Sequence, residues 1–279
     1  MIKRWFVTGT DTEVGKTVAS TALLQAASQA GYRTAGYKPV ASGCEMTAEG
    51  IRNSDALALQ VNSNVRLDYE AVNPLAFMEP TSPHIISAVE QRPIQFPVLS
   101  AGLRALETQA DWLLVEGAGG WFTPLSAQDT LADWVIREQL PVILVVGIKL
   151  GCINHAMLTA HAIQHAGLHL GGWIANDITP PGKWHQPYLQ TLQQRLPAPI
   201  LGEIPYLSDL QRHNLGNISI LGYWPIRRHL GKKIASTLIF LRRYFCQFRR
   251  HGGEIGGKCL NLVYDNNVRH YYINTYTCS

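Results

Sequence analysis

Residues 9–17 read GTDTEVGKT, directly after the run RWFVT and at the start of a stretch rich in helix formers. A glycine-rich loop of this kind constrains a fold strongly, because it needs a strand to deliver it and a helix N-terminus behind it. Backbone N–H groups of Glu13, Val14, Gly15, Lys16, Thr17 and Val18, with the positive end of that helix, suit a phosphate chain. Lys16 is then expected to reach the β and γ phosphates, and the Thr17 hydroxyl to hold Mg2+. The spacing departs by one residue from the usual Gly, four residues, Gly-Lys-Ser/Thr. Five residues separate Gly9 from Gly15, and Thr10 stands where the first glycine belongs. The plainer alternative is a glycine turn that merely caps a helix, and the strand-loop-helix setting argues against it.

Short β-rich runs alternate with helical patterns beyond the loop. KRWFVTG reads as a strand, GKTVASTALLQAASQAG as a helix, and RTAGYKPV as a strand halted by Pro39. SDALALQ and residues 98–109 read as helices, DWLLVEGAGG as a buried strand, and DTLADWVIREQL as a helix with Asp129 at its N-cap. PVILVVG is apolar throughout, as a central parallel strand should be. NHAMLTAHAIQHAG, LGGWIAND, KWHQPYLQTLQQRL and APILGEIP continue the rhythm as helix, strand, helix, strand. The expected fold is therefore α/β: one domain over residues 1–210, with a mostly parallel sheet and helices on both faces. Ligands should sit at the carboxyl ends of the strands.

Composition narrows the function. Residues 1–219 hold 14 Lys and Arg against 18 Asp and Glu, while residues 220–279 hold 10 against 2. The net charge of +4 thus belongs to the last sixty residues, and the body has no electrostatic reason to bind nucleic acid. No apolar run approaches the roughly 18 residues needed to span a bilayer, and MIKRWFVTG lacks the core of a signal peptide. Five scattered cysteines without a CxxC pair fit a reducing cytosol, so a cytoplasmic location is expected.

Further candidates gather at strand ends. Glu116 follows WLLV and precedes GAGG, where a carboxylate can bind magnesium directly or through water. Lys38 closes the second strand, Asp55 opens the next helix, and Asn176-Asp177 ends another strand. An asparagine can pair with N6 and N7 of adenine, and the Asn-Lys-x-Asp pattern of guanine readers is absent. His161 and His165 in HAIQH stand one helical turn apart, but no third ligand follows, so a solvated helix face is expected there.

FVTGTDTEVGKT, GYKPVASG, NSDALAL, EPTSPHIIS, VEGAGGWFTPL, VGIKLGCINHAMLTA and ANDITPPG together resemble the dethiobiotin synthases, ATP-dependent carboxylases of biotin synthesis. The likeness runs from residue 1 to about 207, and the family's loop has the same extra residue. It implies a P-loop NTPase-like fold and a reaction of 7,8-diaminononanoate, CO2 or bicarbonate and ATP with Mg2+. Lys38 is then the catalytic lysine, with Lys16 beside the γ-phosphate and Thr12 and Glu13 facing the diamine and carbamate. Ser42 touches the substrate, and Thr17, Asp55 and Glu116 surround magnesium. Gly117, Ala118 and Gly119 pass close to the phosphates; Asn176 with Asp177 reads adenine, and Pro205, Tyr206 and Leu207 line the base pocket. The resemblance also implies a homodimer, with Gly151, Cys152, Ile153, Asn154 and Tyr188 of the second subunit holding the substrate carboxylate. N–H groups left free at residues 151–154 suit that anion.

Two features depart from the family. Arg212 stands where an acidic residue near the nucleotide is usual, and the chain continues well past the family's normal end. Residues 220–279, with RRHLGKK and RRYFCQFRR around IASTLIFL, read as a basic, poorly ordered extension and not as a nucleic-acid or lipid module. The rival reading is a partition- or septum-positioning ATPase switch. Such proteins have an early lysine in a Lys-Gly-Gly loop, where this chain has Thr8-Gly9-Thr10.

Overall fold

A computed structural model describes residues 2–207, and of the remainder the backbone of residues 258–265 and 270–277. The chain opens with β1 (Lys3–Gly9) and α1 (Lys16–Gln29), then β2 (Thr34–Tyr37) and three short strands, β3 (Val40–Ala41), β4 (Glu45–Thr47) and β5 (Gly50–Arg52). There follow α2 (Ser54–Asn62), α3 (Tyr69–Val72), β6 (Leu75–Ala76), α4 (Pro83–Val89) and α5 (Phe96–Glu107). The second half alternates strictly: β7 (Trp112–Gly120), α6 (Leu131–Arg137), β8 (Val142–Gly147), α7 (Cys152–His165), β9 (Leu170–Asn176), α8 (His185–Arg195) and β10 (Ile200–Ile204). Beyond these, β11 (Lys258–Asp265) and β12 (His270–Thr277) pair antiparallel with each other. Arg212 and the basic runs of residues 227–250 lie outside the described residues.

Six strands form one parallel sheet in the order β10-β9-β8-β1-β7-β2. The apolar run of β8 is buried at every residue, as a strand covered on both faces must be. Helix α1 packs on β1, β7 and β2, and α7 on β8 and β9. The buried alanines of α1, Ala19, Ala22, Ala26 and Ala27, let its backbone come close to the sheet. Burial of a single Leu or Phe contributes about 1.5–3 kcal/mol, and this core includes the fully buried Phe6, Leu113 and Leu114.

Register positions the site. Tyr37 pairs with Val115, so Lys38, just past the end of β2, comes beside Glu116 in the middle of β7. Val7 pairs with Glu116, and the glycine-rich loop leaves β1 two residues later. Asn176 pairs with Gly147 of β8 and with Ile204 of β10.

Three local readings need correction. Asp129 is not the N-cap of α6: Thr130 is, with its side chain accepting from the Asp133 N–H while Asp133 accepts from the Thr130 N–H. Asp129 is instead tied into a turn, its N–H donating to Ser126 Oγ at 2.9 Å. RTAGYKPV is not one strand, because the Lys38 N–H leaves the sheet for Val72 O at 2.8 Å and Pro39 has no N–H to offer. Val40–Ala41 pairs with β6 in a separate two-stranded sheet. The third concerns helix length: α7 begins at Cys152, two residues before the asparagine taken from the sequence as its start.

Candidate active site

The loop after β1 is held by contacts that the sequence pattern does not show. Thr10 N–H donates to Val145 O at 3.0 Å, which ties the loop to β8. Glu13 has φ 59°, a left-handed value that costs a non-glycine residue energy and persists only where surroundings enforce it. Gly15 follows at φ 85°, and a Cβ there would stand 2.1 Å from Asn176 Nδ2. Only glycine fits. Thr12 and Glu13 are exposed, Val14 is buried, and Asp11 accepts from the Thr12 N–H at 2.8 Å. Lys149, in the turn after β8, reaches Asp11 Oδ2 at 3.4 Å.

Lys16 and Thr17 begin α1 and point toward the strand ends. Lys16 is buried, and its Nζ donates to Asp11 O at 3.2 Å. Thr17 Oγ1 donates to Glu116 Oε1 at 2.9 Å. Lys38 Nζ spends its three protons on Asp55 Oδ2 at 2.9 Å, Glu116 Oε1 at 2.7 Å and Gly117 O at 3.2 Å. Asp55 sits in the first turn of α2, whose N-cap Asn53 accepts from the Ala56 N–H at 3.1 Å. Glu116 is fully buried, and its second oxygen, Oε2, has no hydrogen-bond partner among the described residues. Lys16, Thr17, Lys38, Asp55 and Glu116 thus come together beside the carboxyl ends of β1 and β2.

The two lysines are tuned in opposite directions. Burial, then the neighbouring Lys38 ammonium, brings Lys16 down to about 8. Burial also works against charge on Lys38, but the Asp55 and Glu116 carboxylates outweigh it and raise its pKa above the ordinary lysine value. Burial pushes Asp55 up, and the Lys38 ammonium with hydrogen bonds from Lys38 and Thr17 brings it below the usual carboxylate value.

The glycine-rich end of β7 after Glu116 is braced by Thr123, whose hydroxyl donates to Ala118 O at 2.7 Å. Gly119 has φ 59°, and a Cβ on it would lie 2.6 Å from Thr123 Oγ1 and 3.8 Å from Thr12 Oγ1, so this stretch faces the loop after β1. Ser42 is half-buried just past β3. At the far edge, Asn176 is buried and its Nδ2 donates to Val14 O at 2.9 Å. The Asp177 N–H donates to Ile204 O at 2.9 Å, next to Pro205, exposed Tyr206 and buried Leu207. Asp177 Oδ1 meets His185 Nε2 at 2.7 Å, and Glu203 Oε1 lies 3.6 Å from the same nitrogen. His161 and His165 are both exposed, as a solvated face requires.

The start of α7 differs from expectation in one respect. Gly151 is its N-cap at φ 92° with no side-chain cap, but the Cys152 N–H is not free: it donates to Lys149 O at 3.1 Å. A tight turn through Lys149-Leu150-Gly151 uses that donor. Asn154 is exposed and Ile153 half-buried, and half-buried Tyr188 rides on α8, which packs against α7. Sequence reasoning missed the supports of Lys38. Asn73 Nδ2 donates to Lys38 O at 2.6 Å, and the Tyr69 hydroxyl donates to Asn73 Oδ1 at 2.9 Å. Nothing in the string LDYEAVNP marks these residues, because their role depends on a contact across 35 positions.

A parallel α/β sheet, a glycine loop opening a helix, an inward lysine and a strand-end carboxylate beside the helix threonine define a phosphate-loop nucleotide-binding protein. Residues 3–214 match the family model described as an AAA domain. The chain is 75% identical over 209 residues to the ATP-dependent dethiobiotin synthetase BioD 1 of Escherichia coli K12, covering 75% of this chain and 93% of that one. It is 68% identical over 224 residues to the BioD of Pseudescherichia vulneris, covering 80% and 91% of the two chains. The chain belongs to the dethiobiotin synthetase family. Among solved structures, the MinC:MinD cell division complex of Aquifex aeolicus is similar at TM-score 0.48 and 13% identity, covering 91% of this chain and 97% of that one. A likeness so slight says nothing of function.

Folded Lys16 holds its proton less tightly than the unfolded chain does. Its charge therefore costs stability in full below pH 8, and the cost fades as pH rises from about 8 towards about 10.5. Ligand-free Lys16→Met is expected to be more stable than the wild type at pH 7, by on the order of 2 kcal/mol. That advantage should shrink by pH 10. Urea unfolding at the two pH values is the measurement, and a wild type at least as stable at pH 7 would contradict the reading.

Proposed function

We propose that this chain converts 7,8-diaminononanoate, CO2 and ATP into dethiobiotin, ADP and phosphate. The observation that carries it is the joint placement of Lys16, Thr17, Lys38, Asp55 and Glu116 around the strand ends, in a chain 75% identical to a protein named for that synthesis. One amine takes up CO2 as a carbamate. A carbamate oxygen attacks the γ-phosphorus, and ADP leaves. The second amine attacks the resulting mixed anhydride, closing the cyclic urea and releasing phosphate. No protein nucleophile is needed, so the work of the residues is to position reactants and offset charge.

Each residue has a part in that work. The N–H groups of residues 13–18 cradle the phosphates, and Lys16 offsets the charge of the β and γ groups. Lys38 stays cationic and faces the carbamate and the transferring phosphoryl group. Thr12, Glu13 and Ser42 contact the diamine, and Gly117, Ala118 and Gly119 let the phosphates come close. Asn176, Asp177 and Pro205 to Leu207 form the adenine site. Thr17, Asp55 and Glu116 fit Mg2+: they offer hard oxygen donors, and Glu116 has one buried oxygen without a partner among the described residues. Held by these residues, the ion would supply positive charge to offset that developing on the phosphates.

We also assign the substrate carboxylate to a second copy of the chain, in a symmetric homodimer, where Gly151, Cys152, Ile153, Asn154 and Tyr188 would receive it. The Ile153 and Asn154 N–H groups are the better donors, since the Cys152 N–H is engaged within its own turn. The catalytic domain is taken to end near residue 210, and the extension from residue 220 to be dispensable. No helix among the described residues is long and apolar enough to cross a membrane, and a cytoplasmic location fits this chemistry.

Turnover should require diamine, CO2 or bicarbonate, ATP and Mg2+ together, and a chain cut near residue 220 should be as active. Hydrolysis of ATP at the same rate without diamine would overturn the synthase reading in favour of a switch ATPase. The dimer is tested by mixing Tyr188→Phe subunits, expected to raise KM for the diamine, with Lys16→Ala subunits, expected to lower kcat by two or more orders of magnitude. A shared site predicts that wild-type KM partly reappears, because one site of each heterodimer carries neither change. A mixture showing only the high KM would assign the carboxylate to a single subunit.

A further inference from the structure

We propose that Asn176 is a positioning residue for the phosphate loop, fixing the Val14–Gly15 peptide as well as meeting the base. The inference rests on the reading of residues 13–18 as the phosphate site. Asn176 Nδ2 donates to Val14 O at 2.9 Å in a buried contact between residues 162 positions apart. Only the amide nitrogen can face a carbonyl, so this bond also settles which way the side chain points.

Both sides of the contact are anchored by hydrogen bonds and packing. Asn176 is 5% exposed and ends β9, where its own carbonyl accepts from the Ile148 N–H at 2.9 Å. The next residue is anchored to β10 through the Asp177 N–H and Ile204 O. On the loop side, Val14 is buried against two glycines: a Cβ on Gly9 would stand 2.5 Å from Val14 Cγ2, and one on Gly147 3.1 Å from Val14 Cβ. The loop peptide is thus gripped by its side chain from β1 and β8, and by its carbonyl from β9.

The grip decides where a phosphate donor points. In a planar trans peptide the N–H lies opposite the C=O. With the Val14 carbonyl held by Asn176, the Gly15 N–H is turned the other way, out of the sheet edge and toward the ligand side of the loop. Gly15 at φ 85° is free to rotate, since glycine populates both signs of φ. The peptide therefore needs an external restraint, and Asn176 supplies it. Removing the amide leaves a buried carbonyl unpaired and the peptide free to flip.

The same bond sharpens base choice. One amide proton is committed to Val14 O, leaving the second proton and Oδ1 for a base edge. That matches the acceptor N7 and donor N6 of adenine, whereas the O6 and N7 of guanine are both acceptors and ask for two donors. Base recognition and loop geometry thus share one side chain.

The test uses tripolyphosphate, which has phosphates and no base. Its affinity is measured by calorimetry and by competition with ATP, for the wild type, Asn176→Ala, Asn176→Asp and a Lys16→Ala control. A positioning role predicts that both Asn176 variants bind tripolyphosphate about tenfold more weakly or worse, as loss of a buried hydrogen bond would produce, while still unfolding cooperatively at a melting temperature lowered by several degrees. Unchanged tripolyphosphate affinity in both variants, with weakened ATP, would leave Asn176 as a base reader alone and overturn the proposal. A wild type whose ATP is not displaced by tripolyphosphate would overturn the phosphate-site reading itself, a separate outcome. A second measurement is a double-mutant cycle on ATP affinity with Gly15→Ala. The added Cβ meets Asn176 Nδ2 at 2.1 Å, so Gly15→Ala should cost less in the Asn176→Ala background, and additive costs would count against the clasp.

Discussion

A charged ammonium sealed beneath the surface governs the arrangement of this site. Lys38 is 3% exposed, and its three protons go to Asp55, Glu116 and the Gly117 carbonyl. Those partners come from the first turn of α2 and from two successive residues of β7. Had both carboxylates been displaced, a buried charge would stand unpaired, at a cost of several kcal/mol. The fold must therefore close these elements together or leave the lysine uncompensated. The Asn73 and Tyr69 bonds behind Lys38 hold the backbone from which its side chain reaches both carboxylates.

Lys16 experiences the reverse. It lies in the same edge of the sheet but has a backbone carbonyl, Asp11 O, as its hydrogen-bond partner. Burial and the Lys38 ammonium disfavour its charge, so the site holds one cation fully balanced and one that awaits an anion. A polyphosphate supplies what Lys16 lacks. The strained Glu13, the left-handed Gly15 and the unpartnered Glu116 oxygen belong to the same economy: local stability is given up where a charged ligand is to be received.

Much of this was legible in the chain. The loop, the apolar β8 and the alternation after residue 112 give the parallel sheet directly, because period and punctuation are local properties. Lys16, Thr17, Lys38, Asp55 and Glu116 were recognisable by type and by their place at strand ends and helix starts. The misses share a cause. Thr130 and Asp129 are both good caps, and the choice between them was made by the turn through Ser126. The break of the second strand after Tyr37 depends on Val72 taking the Lys38 N–H, and the use of the Cys152 N–H on a turn through Leu150. Asn73, Tyr69 and the Asn176–Val14 bond act between residues far apart in sequence, where no local pattern records them.

The central claim is that two neighbouring lysines hold opposite electrostatic positions before any ligand arrives. Nuclear magnetic resonance titration of the lysine side chains, assigned by substitution, addresses it in the ligand-free protein. The account predicts that Lys38 keeps its proton past the ordinary lysine value of about 10.5, while Lys16 loses its own near pH 8. A Lys38 that deprotonates before Lys16 would contradict it.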